Sequence, residues 1–476
     1  MFGCLLWAAT VSSGAQATNF YSGSPAHLLL REALKAVALS HIITQMIGAV
    51  QTTAKASRRK TGFVALLLLA VLCNANLNAF AWNKQSAGES TLRQAIEDPD
   101  GAMLNFYDSL MQADEGLNIT RIIHYGDSHV AADILTGTMR RKLQYRFSDA
   151  GTGFVLAGKP WAWYSRSGVA SLSSDGWKVE GLNQASLMTD GRFGLAGVSL
   201  STDRINQWLS MQAPCSRFDI YLMKQPTGGA IDVLLDGIEM YRRVSLAAKK
   251  TEPFYLEVKA ENAGNHSLEI RTTTQGEVKV FGVAIEHNRA GVVYDALGIN
   301  GARLYRPLNW DWQIFANNLE HRAANLIIIA YGSNEVSDID LDLKEYGRNF
   351  SDLLNRLHDA SPDASLLVIA PPDRAALVNR KWQTVKRMSA LVATQRRAAM
   401  ETGAAFWNLF QAMGGAGSIE RWANRSLAQT DRVHLSSAGY KLVAEMLYAE
   451  MMRGYLAALL RERKSAFAGQ SFTTER

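Results

Sequence analysis

An α/β fold with a three-layer parallel sheet and an inserted β-sandwich is the architecture that this sequence predicts. Continuous apolar runs such as "ANLIIIAYGSNE" and "ASLLVIAPP" indicate strands that are covered on both faces, as in parallel sheets. The amphipathic helical pattern "LKEYGRNFSDLLNRLHD" lies between these two runs. Residues 160–290 differ, because strand-like stretches of alternating polarity recur there with turn residues between them and almost no helical pattern.

The order of these segments predicts one α/β domain that is interrupted by the β-rich block. A strand and a helix precede the block, and the alternation of strands and helices returns after it. Within the block, "RFDIYLM", "FYLEVKA" and "HSLEIRTT" are predicted as separate strands. We therefore expect a leader at 1–81, a helical segment at 82–117, the α/β domain at 118–159 and 291–462, the inserted β-sandwich at 160–290 and a flexible tail at 463–476.

The composition is that of an ordinary globular protein. Hydrophobic residues make up 47% of the 476 residues and charged residues 20%. The net charge of +6 is a mild basic excess that suits an acidic polymer, but no RNA-binding motif, zinc finger or long basic block accompanies it. No nucleic-acid partner is therefore expected. The sequence contains no cluster of metal-ligand residues, so neither a metal nor a cofactor is expected.

Residues 1–81 have the pattern of an export leader. Lys55, Arg58, Arg59 and Lys60 precede the apolar run "FVALLLLAVL", which has the length of a signal-peptide core and is short for a membrane-spanning helix. The stretch "AFA" at 79–81 matches a cleavage site. We expect a mature protein that begins at Trp82 and is periplasmic or secreted.

Alternatives remain open for this leader. An uncleaved signal would anchor the protein in the membrane. A lipoprotein modified at Cys73 is less favoured, because Leu72 is bulky where a small residue is expected. Since residues 1–45 precede the signal pattern, we expect translation to begin at Met46. If Cys4 and Cys73 are lost on processing, Cys215 remains alone and no intrachain disulfide is possible.

The stretch "RIIHYGDSHVAADILTG" places Ser128 between an apolar strand and the start of a helical pattern. In a parallel sheet this is the carboxyl edge, where α/β proteins keep their binding crevices. The serine could cap the helix, as serine often does. It could also be a nucleophile, if a histidine and an acid lie near it.

Three further stretches follow predicted strands or precede the closing helix. They are "GINGAR", "YGSNE" and "DRVHLSSAGY", and the strand order places all of them at the same edge as Ser128. His434 could act as the base that a serine nucleophile needs, and Asp431 could orient its ring. A glycine N–H, the Ser128 N–H and the Asn334 amide could stabilise an oxyanion.

These motifs, taken together and in order, resemble the SGNH (GDSL-like) hydrolase family. Gly126-Asp127-Ser128 matches its first block, and Gly301, Gly332-Ser333-Asn334 and Asp431-Arg432-Val433-His434 match later ones. "HYGDSH", "GTGFV", "GINGAR" and "YGSNE" are similar to the branch of periplasmic peptidoglycan O-acetylesterases. In that branch an inserted β-sandwich resembles a carbohydrate-binding module. The resemblance implies a flavodoxin-like sheet and a metal-free acyl-enzyme mechanism.

The resemblance also implies roles for single residues. Ser128 would be the nucleophile, His434 the general base and acid, and Asp431 its orienter. The Ser128 N–H, the Gly301 N–H and the Asn334 side chain would form the oxyanion hole. Gly298 remains an alternative to Gly301 as donor.

Two positions depart from the common family pattern. His129 stands where leucine is frequent, and Glu335 where aspartate is frequent. Because of these two departures, the resemblance does not indicate which acyl group the protein prefers. His129, Trp161 and Trp163 could contact substrate, although local hydrogen bonding for the histidine and packing for the tryptophans are the alternatives.

Three functions are consistent with this pattern. The first is a secreted serine esterase that removes O-acetyl groups from a cell-envelope glycan, with peptidoglycan as the first candidate. The second is an O-acetyltransferase that uses the same triad, since motifs do not distinguish water from a sugar hydroxyl as acyl acceptor. The third is a non-catalytic glycan-binding protein, which an intact set of serine, histidine, aspartate and asparagine disfavours.

Overall fold

Two large sheets dominate the described part of the protein in this computed structural model. The structure describes residues 94–98, 100–162, 164–182 and 190–469, so the predicted leader lies outside the described residues. The first sheet is parallel and has five strands in the order β11-β1-β12-β13-β16. In chain order this is 2-1-3-4-5, the flavodoxin-like arrangement, so the predicted fold class is confirmed. The strands are β1 (Ile119–Gly126), β11 (Gly291–Gly298), β12 (Leu326–Ala330), β13 (Ser365–Ile369) and β16 (Ala405–Trp407).

Helices cover both faces of the parallel sheet because its strands are apolar on both faces. Successive residues of β12 alternate between two cores: Ile327 packs with Phe315 and Phe350 on one face, and Ile328 packs with Leu143 on the other. The helices are α1 (Leu104–Asp114), α2 (Ser128–Ala131), α3 (Leu135–Phe147), α4 (Tyr305–Leu308), α5 (Trp312–Arg322), α6 (Leu343–Ala360), α7 (Met388–Glu401), α8 (Leu409–Ala412), α9 (Ser418–Asn424) and α10 (Ser437–Gly469).

The β-rich block forms one antiparallel sheet of nine strands. Seven of them lie in the order β4-β5-β10-β6-β9-β7-β8, while β2 pairs with β10 and β3 pairs with β6. Its strands are β2 (Gly153–Val155), β3 (Ala170–Ser173), β4 (Lys178–Glu180), β5 (Ser199–Thr202), β6 (Trp208–Lys224), β7 (Ala230–Leu235), β8 (Ile238–Ser245), β9 (Glu252–Thr272) and β10 (Val278–Glu286).

Two features of this sheet differ from the sequence prediction. The stretches "FYLEVKA" and "HSLEIRTT" belong to the single long strand β9, which pairs with β6 along most of its length. The register passes from the pair Cys215–Gly264 to the pair Arg217–Lys259, so residues 260–263 of β9, part of the stretch that resembled a turn, bulge opposite the single residue Ser216 of β6. In addition, β2 precedes residue 160, so the antiparallel sheet takes one strand from the segment assigned to the α/β domain.

The antiparallel sheet shares a core with the parallel one. Phe154, Tyr221 and Phe281 of the former lie in the same buried cluster as Phe315 of α5. Charged groups also join the sheets, since Arg322 contacts both Asp295 of β11 and Glu286 of β10. These buried contacts fix the β-rich block against the α/β domain rather than leaving it on a linker.

The end of the chain also differs from expectation. Helix α10 continues to Gly469, so it extends into the segment 463–476 that was predicted to be a flexible tail. A short hairpin, β14 (Ala375–Val378) and β15 (Lys381–Thr384), follows β13. Among the helices of the described residues, none combines the length and the apolar character needed to cross a membrane.

Candidate active site

Three loops meet at the carboxyl edge of the parallel sheet. Ser128 follows β1, the turn that contains Gly301 follows β11, and Asn334 follows β12. Strand β1 pairs with β11 on one side and with β12 on the other, so Ser128 lies between the other two loops. The sequence predicts this position at the carboxyl edge of the sheet, and the structure shows that the strand order reverses there.

The structure brings Ser128, His434 and Asp431 into one hydrogen-bonded chain. The Ser128 hydroxyl lies 2.9 Å from Nε2 of His434, and Nδ1 of the same ring lies 2.7 Å from Oδ2 of Asp431. The two residues of the second contact come from one loop that precedes α10, whereas the serine is more than 300 positions away. The predicted nucleophile, base and orienter therefore stand in the geometry that proton transfer from the hydroxyl requires.

Asp431 is held by its own loop. Its Oδ1 accepts hydrogen bonds from the backbone N–H of Val433 at 2.9 Å and of His434 at 3.0 Å. Partial burial raises the pKa of this carboxyl, but the hydrogen bonds from His434 and the two backbone groups outweigh it, so the pKa is lowered overall. The carboxylate is thus ionised and oriented toward Nδ1 at neutral pH.

Asp127 supports the turn that presents the serine. It is the N-cap of α2, and its side chain accepts the His129 N–H at 2.9 Å. Burial raises the pKa of this carboxyl to about 7, an effect that the His129 N–H opposes and the nearby Glu335 reinforces. Ser128 itself follows the cap, so its hydroxyl is free to face His434.

The two candidate glycines after β11 have different environments. Gly298 is buried, and a Cβ there would lie 2.2 Å from the backbone nitrogen of Ala131. Gly301 is exposed, with a φ of +69° that favours glycine and open space where a Cβ would be. Within the described residues the N–H groups of Gly301 and Ser128 donate to no acceptor. Close packing therefore accounts for Gly298, and Gly301 offers the free donor.

Asn334 projects from the loop after β12 toward the other two loops. Its Nδ2 donates to the carbonyl oxygen of Ala302 at 3.0 Å and lies 3.4 Å from Oδ2 of Asp127. The second contact is at the long end of hydrogen-bond distances, so one amide hydrogen is only weakly engaged. Glu335 is buried beside it, and burial raises the pKa of that carboxyl.

His129 lies behind the triad and not in the cleft. It is 8% exposed, its Nδ1 lies 2.9 Å from the Tyr440 hydroxyl, and its Nε2 lies 3.2 Å from the Ser333 hydroxyl. Burial lowers its pKa to about 3, with the His434 and Arg374 charges acting in the same direction. Both ring nitrogens contact protein hydroxyl groups, so neither nitrogen is available for the substrate contact that the sequence suggested.

The tryptophans of "KPWAWY" are the other residues that were considered as substrate contacts. Trp161 packs edge-on against Tyr164, with ring centroids 4.8 Å apart, and borders the core that the two sheets share. This contact agrees with packing, which was the alternative to a substrate contact for Trp161. Trp163 lies outside the described residues, so its substrate contact stays a prediction.

One charged residue near the triad was missed from the sequence. Arg374 follows β13, and its Nη1 donates to the carbonyl oxygen of Ser333. The signal that could have found it is its place in "APPDR", directly after a strand that ends at the same edge. Among the described residues, no group of three or more histidines, cysteines or carboxylates is placed to hold a metal ion.

Comparisons with known proteins agree with this architecture. The model of the GDSL-like lipase/acylhydrolase family matches residues 273–442, a span that includes Gly301, Asn334, Asp431 and His434. Ser128 lies outside the match, on the far side of the inserted strands in the sequence. A comparison with curated protein sequences finds no match.

Solved structures are similar to this chain over most of its described length. A structure of a peptidoglycan O-acetylesterase has a TM-score of 0.66 and 24% identity, covering 76% of this chain and 99% of that chain. A family two carbohydrate esterase from Cellvibrio japonicus has 14% identity and a TM-score of 0.25, over 61% of this chain and 99% of that one. The latter score is too low to bear on the fold.

The parallel sheet of flavodoxin-like order, the antiparallel sheet inserted after its first strand and helix, and the family match lead to one conclusion. The described part of the chain has the α/β fold of SGNH hydrolases, and residues 273–442 are similar to the GDSL-like lipase/acylhydrolase family.

Proposed function

We propose that this protein is a serine esterase that removes O-acetyl groups from a cell-envelope glycan, with peptidoglycan as the first candidate. The observation that supports it most is the chain of hydrogen bonds from Ser128 through His434 to Asp431 at the sheet edge. The substrate class is supported by the similarity to a peptidoglycan O-acetylesterase structure and by the inserted sheet.

The reaction begins at the Ser128 hydroxyl. Its oxygen attacks the acetyl carbonyl carbon while its proton passes to Nε2 of His434, and Asp431 stabilises the resulting imidazolium. The carbonyl oxygen becomes an oxyanion that the free N–H groups of Ser128 and Gly301 and the weakly engaged amide of Asn334 can stabilise. His434 then gives its proton to the departing sugar oxygen, which leaves an acetyl ester on Ser128.

Water completes the cycle by the reverse proton transfers. His434 removes a proton from water as the oxygen attacks the acetyl-serine, and a second oxyanion forms in the same place. Collapse of this intermediate releases acetate and returns the proton to the serine oxygen. A sugar hydroxyl in place of water would make the protein an acetyltransferase, so the acceptor decides between the two activities.

Export is part of the proposal. The basic residues at 55–60, the apolar run and "AFA" support a cleaved signal peptide and a periplasmic or secreted protein. N-terminal sequencing of the protein from a cell-envelope fraction tests this. A mature N-terminus at Trp82 is expected, and one upstream of residue 60 would contradict it.

Acetate release from glycans tests the substrate. The chain from Trp82 is incubated with O-acetylated peptidoglycan, with O-acetylated xylan and with each plus a de-acetylated glycan acceptor. Free acetate from peptidoglycan is expected, at a higher rate than from xylan. Acetyl groups recovered on the acceptor instead of in solution would establish the transferase, and release from xylan alone would contradict peptidoglycan as the substrate.

A further inference from the structure

Arg374 lies where two parts of the site join. It follows β13 and begins the hairpin β14–β15, and the next residue, Ala375, donates its N–H to the carbonyl oxygen of Arg432 at 3.0 Å. That carbonyl lies between Asp431 and His434 in the sequence. The Arg374 side chain reaches the opposite loop, where Nη1 donates to the Ser333 carbonyl oxygen next to Asn334. Its guanidinium therefore lies between the histidine loop and the proposed oxyanion hole.

The charge of Arg374 is not matched by a carboxylate. The side chain is half-buried, its Nε is buried without a hydrogen-bond partner, and no carboxylate oxygen of the described residues lies within ion-pair distance of it. The acids whose charges act on Arg374 are Asp127, Asp431 and Asp338, and all are engaged elsewhere. Asp127 accepts the His129 N–H, Asp431 holds His434, and Asp338 forms a two-pronged pair with Arg303. A guanidinium stays charged in proteins, so partial burial without a counter-ion is unfavourable until an anion binds.

We propose that Arg374 binds a carboxylate that the substrate carries on the sugar unit bearing the scissile ester. The inference rests on the proposed function and adds a specificity-determining residue to it. A planar guanidinium can hold a carboxylate through two parallel hydrogen bonds, which fixes the sugar relative to Ser128. The carboxylate could belong to the lactyl ether of a muramic acid that carries no stem peptide, or to a uronic acid.

Hydrolysis of matched esters tests this. The substrates are O-acetylated N-acetylmuramic acid, O-acetylated glucuronic acid and O-acetylated N-acetylglucosamine, which has no carboxylate. The unmodified chain is expected to prefer one of the two anionic esters, which identifies the source of the carboxylate. Arg374→Gln should reduce that preference at least about tenfold, mainly through KM, as expected for the loss of hydrogen bonds to a charged group. Arg374→Lys should retain part of it.

Arg380 provides the matched control, because it is an exposed arginine at the turn of the same hairpin. Arg380→Gln should leave all three rates unchanged. Equal loss on anionic and neutral esters in Arg374→Gln would show that the residue only positions the Ser333 loop and would overturn the proposal. So would equal rates of the unmodified chain on all three esters.

Binding of de-acetylated sugars separates this inference from the proposed function. Calorimetry with N-acetylmuramic acid, glucuronic acid and N-acetylglucosamine needs no turnover. Tighter binding of one acidic sugar, lost in Arg374→Gln, would support the anion subsite even if no ester were hydrolysed. Equal binding of all three sugars would overturn the subsite even if hydrolysis were observed.

Discussion

Glu335 Oε1 accepts a hydrogen bond from the backbone N–H of Leu304 at 2.7 Å and so joins two loops of the site. Its other oxygen accepts the Gly332 N–H at 3.1 Å. One loop contains Gly301 and the other contains Asn334, the two residues proposed to complete the oxyanion hole. Glu335 is 4% exposed, so the link is made inside the protein, where water does not compete for it.

Removal of this link should cost both stability and activity. Glu335→Ala leaves the N–H groups of Leu304 and Gly332 buried without an acceptor, at about 1–3 kcal/mol of unfolding free energy for each such group. The activity should fall as well, because the two loops lose their common anchor. Denaturant unfolding and p-nitrophenyl acetate hydrolysis measure the two effects. Glu401→Ala, at an exposed position at the end of α7, is the control and should change neither. Full stability of Glu335→Ala would contradict the anchoring role.

His434 and Asp431 should differ in their effect on catalysis. His434→Ala removes the base and should reduce kcat by about 10²–10⁴-fold, the usual contribution of a general acid–base group. Asp431→Ala should reduce it less, because the Asp431 side chain is 43% exposed and water can take part of its role. Initial rates with p-nitrophenyl acetate check the order. A larger loss in Asp431→Ala than in His434→Ala would be inconsistent with these roles.

His124 should make the fold less stable in acid. It is 1% exposed, and burial lowers its pKa from 6.5 to about 3. Below pH 6.5 the unfolded chain binds a proton on this histidine that the folded chain does not bind. The contribution of His124 to the free energy of unfolding is therefore complete above pH 6.5. It is lost as the pH falls toward 3, by up to about 1.4 kcal/mol per pH unit.

The variant His124→Phe isolates this effect. It loses the contact between Nδ1 and the Tyr294 hydroxyl at every pH, but it has no group to protonate. The free energy of unfolding should thus fall less in the variant than in the parent between about pH 6.5 and pH 4.5. Parent and variant must be compared because Asp127 changes the free energy of unfolding in the opposite direction over the same pH range, since burial raises its pKa to about 7. Parallel pH profiles would refute the assignment.

Asp133 should hold the β-rich block to the α/β domain. Its carboxylate pairs with Arg166 at 2.8 Å and with Arg140 at 3.1 Å, and the three side chains are at most 9% exposed. Asp133→Asn leaves two buried guanidinium groups without a counter-charge and should cost about 3–5 kcal/mol of unfolding free energy. Asp352→Asn breaks an exposed pair with Arg356 and should cost less than about 1 kcal/mol. Similar losses in both variants would refute this role.

The sequence predicted the parallel sheet and the triad for physical reasons. Strands such as Leu326–Ala330 are buried on both faces, so they are apolar without interruption and easy to recognise. The triad residues occur in short motifs next to these strands, and the sheet edge brings them together. Gly301 and Asn334 were predicted as site residues in the same way.

The features that the sequence did not predict depend on contacts between residues that are far apart in the sequence. The hairpin β14–β15 has two strands of four residues with mostly exposed or half-exposed side chains, so it has no hydrophobic period. The continuity of β9 through its Gly and Asn residues depends on pairing with β6, which local turn propensity does not include. The place of Arg374 in the site follows from its contact with the Ser333 carbonyl oxygen, which is 41 positions away in the sequence.

Hydrolysis of p-nitrophenyl acetate by the chain from Trp82 and by its Ser128→Ala variant is the most direct test of Ser128 as the nucleophile of an esterase. The variant keeps the capped turn and loses only the hydroxyl that lies 2.9 Å from His434. The parent should hydrolyse the ester, and the folded variant should lose activity by about 10³-fold or more. Retention of parental activity by a folded Ser128→Ala variant would contradict it.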